Sequence, residues 1–287
     1  MKRSIPVELL NVFEKWFRTC YTRVKWFSCF SSFFKLECGV RQGGVLSPYL
    51  FAVFIDNISV NIVNTAVGCY IGRTCVSIIL YADDILLIEL SVTALQRLIN
   101  VCTFELAWLD MSINCSKSVC VRFGPRYNSN CVDISLPDGQ TLQWVSSCRY
   151  LGVYLSSASH FKCSISDAKK SFYRSFNAIF GKIGRIATED VIIELMVKKS
   201  LPALIYALDV CALNKSDLRA LDYVVDSAVK KIFNTYNKDI IAECRLMFNL
   251  TPVSEILARR ELSFSTRYFV NVVDNMLCAA VNSLSSC

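Results

Sequence analysis

Two adjacent aspartates, Asp83 and Asp84, separate two strongly apolar stretches at positions 76–80 and 85–90. Aspartate is a common turn residue, so one interpretation is a solvated turn between two strands. Because both strands are nearly all apolar, we expect them to be buried on both faces, with two like charges at their tip. A divalent cation relieves that repulsion, and Mg²⁺ commonly binds one or two carboxylates together with substrate phosphates. The pair therefore indicates phosphoryl transfer with two metal ions roughly 3.5–4 Å apart.

A glycine-rich stretch, GVRQGGVLSP at positions 39–48, lies about forty residues upstream of the aspartates. Its glycines allow the backbone to approach another chain closely, and Gln42 offers both a donor and an acceptor to a base or sugar edge. Ser47 is placed to cap a following helix, and Pro48 fits its first turn. A plain loop before a capped helix is the alternative interpretation.

The remaining elements follow from hydrophobic periodicity. The first stretch, 9–20, has helical spacing, and two short strands are expected at 21–30 and 33–38 around Ser31-Ser32. Up to about residue 157 helices and short strands alternate, and beyond it only helices are predicted. The further helices are expected at 47–58, 92–109, 167–186, 189–213, 216–234 and 252–277, and the further strands at 118–123, 132–136, 141–145 and 149–155.

The composition excludes several classes of protein. With 53% hydrophobic residues and a mean hydropathy of +0.39, the chain has enough apolar surface for a large core. Its longest apolar runs are shorter than the roughly 18 residues of a membrane span, so no membrane partner is expected. The 15 cysteines have no zinc-site spacing and His160 is the single histidine. They are predicted to be reduced core residues of an intracellular protein with no disulfide-linked partner, nuclear or cytoplasmic.

The motifs together resemble those of a known family. GVRQGGVLSP at 39–48 and YADD at 81–84 are similar to the palm of reverse transcriptases, above all the LINE-type enzymes of non-LTR retrotransposons. SINCSKS at 112–118, CRYLGVY at 148–154 and FYRSFNAIFGKIG at 172–184 resemble later elements of the same family, in the same order. The resemblance extends over nearly the whole chain.

This resemblance implies an α+β fold. Residues 1–157 would form a partial polymerase palm, an antiparallel sheet with helices on one face, and 158–287 an all-helical thumb-like region. The implied function is RNA-directed DNA polymerisation, in which a nucleotide is transferred from a dNTP to a primer 3′ end. The implied partners are an RNA template, a DNA primer and a dNTP, with two Mg²⁺ ions as cofactors.

The resemblance also assigns roles to individual residues. Asp83 and Asp84 would bind the metal ions, and Lys117 would donate a proton to the leaving pyrophosphate; a solvated lysine is the alternative for Lys117. The expected nucleotide, template or primer contacts are Gln42, Gly43, Tyr81, Tyr150, Leu151 and Gly152.

The stretch 172–184 continues a helical pattern with two faces. Phe172 and Phe176 share the apolar face, whereas Lys170 and Arg174 lie on the opposite one. An ordinary solvated face is one interpretation. With the resemblance, Lys170 and Arg174 are expected to bind the phosphates of a template–primer duplex.

One family feature has no counterpart here. The family uses a third carboxylate well before the glycine turn, whereas the first aspartate of this chain is Asp56, and the earlier acids are Glu8, Glu14 and Glu37. The basic fingers region is absent too. We therefore expect an N-terminally truncated copy that does not polymerise by itself and exposes a sheet edge. The alternatives are a non-enzymatic retroelement remnant that binds nucleic acid and, third, an unrelated membrane protein.

Overall fold

The computed structural model describes residues 5–37, 39, 43–72, 74–184 and 186–270. It begins with the predicted amphipathic helix, α1 (Val7–Arg18). Two nested hairpins follow, in which β1 (Tyr21–Thr22) pairs with β4 (Phe34–Lys35) and β2 (Lys25–Trp26) pairs with β3 (Cys29–Phe30).

The turn in these hairpins was predicted at the wrong residues. It lies at Phe27-Ser28, where Phe27 has a φ of 52°, and not at Ser31-Ser32. Ser31 is used differently: its backbone N–H donates to the Val24 oxygen, and its hydroxyl accepts from the Val24 N–H, both at 3.0 Å. These two bonds extend the β2–β3 pairing by one more pair of residues, Val24 and Ser31. Ser31 therefore belongs to the hairpin and is not its turn.

Two helices and a hairpin form the first core. Helix α2 (Ser47–Asn64) packs against α3 (Val92–Trp108), with Ile58 and Leu98 fully buried between them. Two short strands, β5 (Tyr70–Ile71) and β6 (Thr74–Cys75), precede a hairpin of β7 (Ile78–Tyr81) and β8 (Asp84–Leu87). Ser47 does not cap α2 as predicted but is its first residue, with Leu46 at the cap position and Pro48 in the first turn.

A small mixed sheet follows, with strand order β10 (Ile134–Ser135), β11 (Thr141–Trp144), β9 (Val119–Cys120). The predicted turn at 137–139 is confirmed, with Gly139 at a φ of 83°. The single strand expected at 149–155 is wrong: the chain forms a hairpin of β12 (Ser147–Tyr150) and β13 (Val153–Ser156). Its two-residue turn has positive φ at both Leu151 (46°) and Gly152 (86°), as a type I′ hairpin turn requires.

Beyond the hairpin the described chain is helical, as predicted. Helix α4 (Ile165–Ile183) is followed by α5 (Glu189–Leu195), a π turn (Met196–Ser200) and α6 (Leu201–Ile205), then by a 3₁₀ turn (Leu208–Val210). The one long helix predicted at 189–213 is therefore broken, because Tyr206 leaves helical geometry and Ala207 is left-handed. The chain continues with α7 (Lys215–Phe233), α8 (Lys238–Met247), which the sequence analysis missed, and α9 (Val253–Val270).

The second core lies among these helices. Phe172 and Phe176 of α4 are buried against residues such as Leu204 and Leu221, as the two-faced pattern predicted. Partly buried Val153 and Leu155 of β13 pack against the same core. The β12–β13 hairpin is therefore attached to the helical region.

The α+β class is confirmed. A continuous antiparallel sheet is not seen among the described residues, where the sheets have two or three strands and β9 runs parallel to β11. The boundary between residues 157 and 158 stays a prediction. None of the described helices combines the length and apolarity that crossing a bilayer requires.

The prediction that all cysteines are reduced is wrong for one pair. Cys163 and Cys211 form a disulfide, with their Cα atoms 6.0 Å apart. They meet because residue 163, just after β13, and residue 211, just after the 3₁₀ turn, both enter the second core. Cys102 and Cys120 are buried free thiols, as expected.

Candidate functional site

The YADD motif forms the tip of the β7–β8 hairpin. Tyr81 pairs with Asp84, so Ala82 and Asp83 form a two-residue turn. Ala82 has a φ of 50°, a left-handed conformation that is uncommon for a residue with a side chain. The turn is therefore sharp, and it presents Asp83 and Asp84 on adjacent positions at one end of the hairpin.

The surroundings of this tip differ from the prediction. Asp83 and Asp84 are both exposed, and Tyr81 keeps 62% of its surface accessible. Along the strands, Ile78, Leu80 and Ile85 are partly buried against the α2–α3 core, whereas Ile79 is exposed. The expectation of strands buried on both faces is wrong, because only one face of the hairpin is covered by helices among the described residues.

The base of the hairpin is well anchored. Ser77 is fully buried, its hydroxyl accepts from the Cys69 N–H, and its carbonyl accepts from the Ile88 N–H at 2.8 Å. The backbone N–H of Val76 donates to the Cys69 oxygen at 2.8 Å. The strands are therefore fixed at one end while the acidic end faces outward.

The negative charge of Asp84 acts on Tyr150 of β12. Its hydroxyl oxygen is buried and has no hydrogen-bond partner among the described residues. The pKa of Tyr150 is raised, first by burial and then by the negative charge of Asp84. β12 of the second hairpin is therefore within electrostatic reach of Asp84.

The glycine-rich loop is only partly described. Gln42 lies outside the described residues. Gly43 is exposed with a φ of 78°, and among the described residues other than its chain neighbours no atom lies within 4 Å of the position that a Cβ would take. Helix α2 starts four residues after Gly43, so the loop leads into a helix N-terminus as predicted. Contact of this loop with Asp83 or Asp84 stays a prediction.

Lys117 lies in the turn before β9. Its backbone N–H donates to the Asn114 oxygen at 3.1 Å, and its side chain is exposed. No contact of Lys117 with Asp83 or Asp84 is seen among the described residues. Its role in proton transfer therefore stays a prediction.

A cleft separates the β12–β13 hairpin from α4. It has a volume of about 170 Å³ and contains both Lys170 and Arg174, as well as Gly152 of the hairpin turn. Arg149 lines the same cleft. One acid, Asp167, lies there too and binds Lys170 at 3.3 Å. The cleft therefore has three cations and one carboxylate, an arrangement that attracts an anionic ligand.

Two residues of this cleft were missed in the sequence analysis. Arg149 stands next to Tyr150 in the CRYLGVY motif, so strand alternation could have assigned it to the face opposite Tyr150. Tyr206 donates a hydrogen bond from its hydroxyl to the Leu151 oxygen at 3.0 Å. Nothing in the sequence indicates that contact, because 55 positions separate the two residues.

The donor set fits Mg²⁺ only in part. Asp83 and Asp84 supply hard carboxylate oxygens, which this ion prefers, and an ion held with substrate phosphates needs one or two carboxylates. No cluster of three or more His, Cys, Asp or Glu side chains suitable for a metal occurs in the described ranges. The two aspartates by themselves therefore suit an ion whose remaining ligands are water or phosphate oxygens.

Comparisons with known proteins agree with the motifs. The family described as reverse transcriptase (RNA-dependent DNA polymerase) matches residues 2–155, more than half of the chain. The chain is also similar to the retrovirus-related Pol polyprotein from type-1 retrotransposable element R2 of Popillia japonica. The two are 32% identical over 84 residues, which cover 29% of this chain and 12% of that protein.

Proposed function

Because the chain belongs to the reverse transcriptase family, we propose that its YADD hairpin is the metal-binding centre of an RNA-directed DNA polymerase of a LINE-type retrotransposon. The observation that carries this proposal is the hairpin itself, in which a two-residue turn presents Asp83 and Asp84 at adjacent positions of an exposed tip. Polymerase palm and thumb are the proposed roles of the regions before and after residue 157. This chain matches only 12% of the R2 protein. Polymerase activity is therefore proposed for this chain and does not follow from the match itself.

In this proposal Asp83 and Asp84 hold Mg²⁺ against the phosphates of an incoming dNTP. The ion, when bound, would neutralise charge that develops on the phosphoryl oxygens and activate the primer hydroxyl. Tyr81, which is exposed at the same tip, would contact the nucleotide or the template–primer. Gln42 and Gly43 would contact the nucleotide or template strand, and Lys117 would donate the proton to pyrophosphate.

The primer would lie between the two hairpins and α4. Tyr150, Leu151 and Gly152 would steady its 3′ end, since the charge of Asp84 acts on Tyr150 of this hairpin. Lys170 and Arg174 would bind backbone phosphates farther along the duplex, and we add Arg149 to this set because it lines the same cleft. Binding of this kind positions the reacting atoms, which is the main contribution of a protein to phosphoryl transfer.

We further propose that these 287 residues do not polymerise by themselves. No aspartate precedes Asp56 in the sequence, and the carboxylate that both metal ions share in the family has no counterpart. Since each ~1.4 kcal/mol lost from the transition state slows a reaction about tenfold, losing a shared ligand costs several such steps. A chain that binds nucleic acid without extending it is the second candidate, favoured by the cationic cleft.

Two measurements test these proposals. Primer extension on an RNA template, with dNTPs and Mg²⁺, is expected to show no product above that of Asp83→Asn. Extension that Asp83→Asn abolishes would overturn the proposed inactivity.

The metal site is tested separately by Mn²⁺ binding, followed by electron paramagnetic resonance in the presence of a dNTP. Asp83→Asn and Asp84→Asn are expected to weaken binding about tenfold or more, and Asp133→Asn, an exposed aspartate elsewhere, is the control. Equal affinity in all four proteins would refute the assignment of the metal site.

A further inference from the structure

The nested hairpins at residues 21–35 carry an unusual concentration of exposed rings. Trp26, Phe27 and Phe33 are 73%, 85% and 66% exposed. Tyr21, Phe30 and Phe34 are exposed as well, and no residue from 5 to 37 is buried. Exposed apolar side chains concentrated in one segment mark a binding site more often than scattered ones do.

Cations are interleaved with these rings. The guanidinium of Arg23 lies 3.9 Å from the centre of the Phe30 ring and 5.1 Å from that of Phe33, and the Lys25 ammonium lies 5.7 Å from Phe30. From Lys15 to Leu36 the chain has five lysines and arginines and no acid. An apolar protein partner would explain the exposed rings but not the excess of positive charge. A nucleic acid explains both, because its bases are flat and apolar and its phosphates are negatively charged.

The two most exposed rings of this segment, those of Trp26 and Phe27, lie at the end of the β2–β3 hairpin. Phe27 stands in the turn between β2 and β3, and its φ of 52° belongs to a left-handed conformation that is strained for an aromatic residue. Trp26 lies against it edge to face, with ring centres 5.7 Å apart. Both side chains keep most of their surface accessible, 73% for Trp26 and 85% for Phe27.

We propose that the residues Arg23, Lys25, Trp26, Phe27, Phe30 and Phe33 form a platform that binds a single nucleic-acid strand. Its bases would stack on Trp26, Phe27 and Phe33, and its phosphates would contact Arg23 and Lys25. Stacking on aromatic side chains beside a cationic groove is the usual way in which proteins bind single strands without reading their sequence. The proposal rests on the proposed function, in which the strand is the template ahead of the copied base.

The test uses the full chain and fluorescein-labelled oligo(U) and oligo(dT), with fluorescence anisotropy as the readout. The double variant Trp26→Ala/Phe27→Ala is expected to raise the Kd on the order of tenfold. Trp108→Ala is the matched control, since Trp108 is 82% exposed at the end of α3. Arg23→Gln/Lys25→Gln is expected to flatten the salt dependence of binding by roughly 0.7 for each cation in a plot of log K against log salt.

Equal Kd values for the wild type and Trp26→Ala/Phe27→Ala would overturn the platform. So would a change confined to self-association, measured by analytical ultracentrifugation, because the rings would then contact a second copy of the chain. Stronger binding of oligo(U) than of oligo(dT) supports an RNA strand, and the reverse order supports a DNA strand. Trp26→Ala/Phe27→Ala is expected to leave Mn²⁺ binding in the presence of a dNTP unchanged, so a failure of the platform and a failure of the metal site are distinguishable.

Discussion

The hydroxyl of Tyr206, in the segment that follows α6, donates a hydrogen bond of 3.0 Å to the backbone oxygen of Leu151 in the β12–β13 turn. The ring of the same tyrosine would lie 3.0 Å from a Cβ added to Gly152. Tyr206 therefore fits against a turn that has no side chain at its second position. This contact holds the turn at the edge of the cationic cleft, which Tyr206 and Gly152 both line.

Tyr206→Phe is expected to destabilise the protein by about 1 kcal/mol, because it removes one hydrogen bond and keeps the ring. Gly152→Ala is expected to cost about 2 kcal/mol or more, since a φ of 86° is strained for alanine and the new methyl group would press on the ring. Urea unfolding followed by circular dichroism measures both values.

The combination of Gly152→Ala with Tyr206→Ala separates the two costs at Gly152. Removing the ring relieves the contact but not the backbone strain, so the two changes are expected to be less destabilising together than the sum of each by itself. Additive effects would show that the ring and the turn do not interact.

Neutralising the cleft is expected to weaken duplex binding. Replacing Arg149, Lys170 and Arg174 by glutamine should lower affinity for a template–primer duplex of any sequence. The salt slope should become flatter by roughly 0.9 for each phosphate that the variant no longer neutralises. Filter binding at several salt concentrations measures this slope. Lys238→Gln, at an exposed position of α8 outside the cleft, is the control. An unchanged slope in the triple variant would exclude the cleft as a phosphate site.

Buried thiols are expected to make stability depend on alkaline pH. Burial, and to a lesser extent the charge of Glu105, raises the pKa of Cys102 to about 12. The thiol ionises near pH 9 in the unfolded chain, whereas the buried Cys102 thiol stays protonated until about pH 12. The contribution of this thiol to the free energy of unfolding is therefore complete below pH 9 and decreases as the pH rises from 9 toward about 12. Urea unfolding at about pH 8 and about pH 10.5, on either side of the unfolded pKa, should show a smaller decline in Cys102→Ala than in wild type. The exposed Cys29→Ser should keep the wild-type decline, and equal declines in both variants would contradict the assignment.

The Cys163–Cys211 disulfide closes a loop of 48 positions. In the chain-entropy treatment such a crosslink stabilises by roughly 4 kcal/mol, so reduction with dithiothreitol should lower the urea midpoint of the wild type. Cys211→Ser should have a low midpoint with or without the reductant, which separates the crosslink from other effects of the reagent. A wild-type midpoint that does not respond to reduction would contradict a role of this bond in stability.

The sequence predicted local structure well wherever one segment decides it. The YADD turn between two strands, the helix from Val92, and the opposite faces of α4 depend on contacts within a few positions, so residue type and spacing suffice. Two other predictions failed where contacts between distant segments contribute to the structure. The break near Tyr206 and the hairpin at 149–155 depend on the helical core and on a partner 55 positions away.

The candidate site shows the same division. Residue types and motif order were sufficient to place Asp83 and Asp84 together and to identify the family. Both conclusions depend only on short contiguous stretches of the sequence. Only the tertiary structure decided that this acidic tip is exposed, that the charge of Asp84 acts on Tyr150, and that Arg149 joins Lys170 and Arg174 in one cleft. Exposure and electrostatic neighbours depend on which surfaces pack together, and packing brings together residues that are far apart in the sequence.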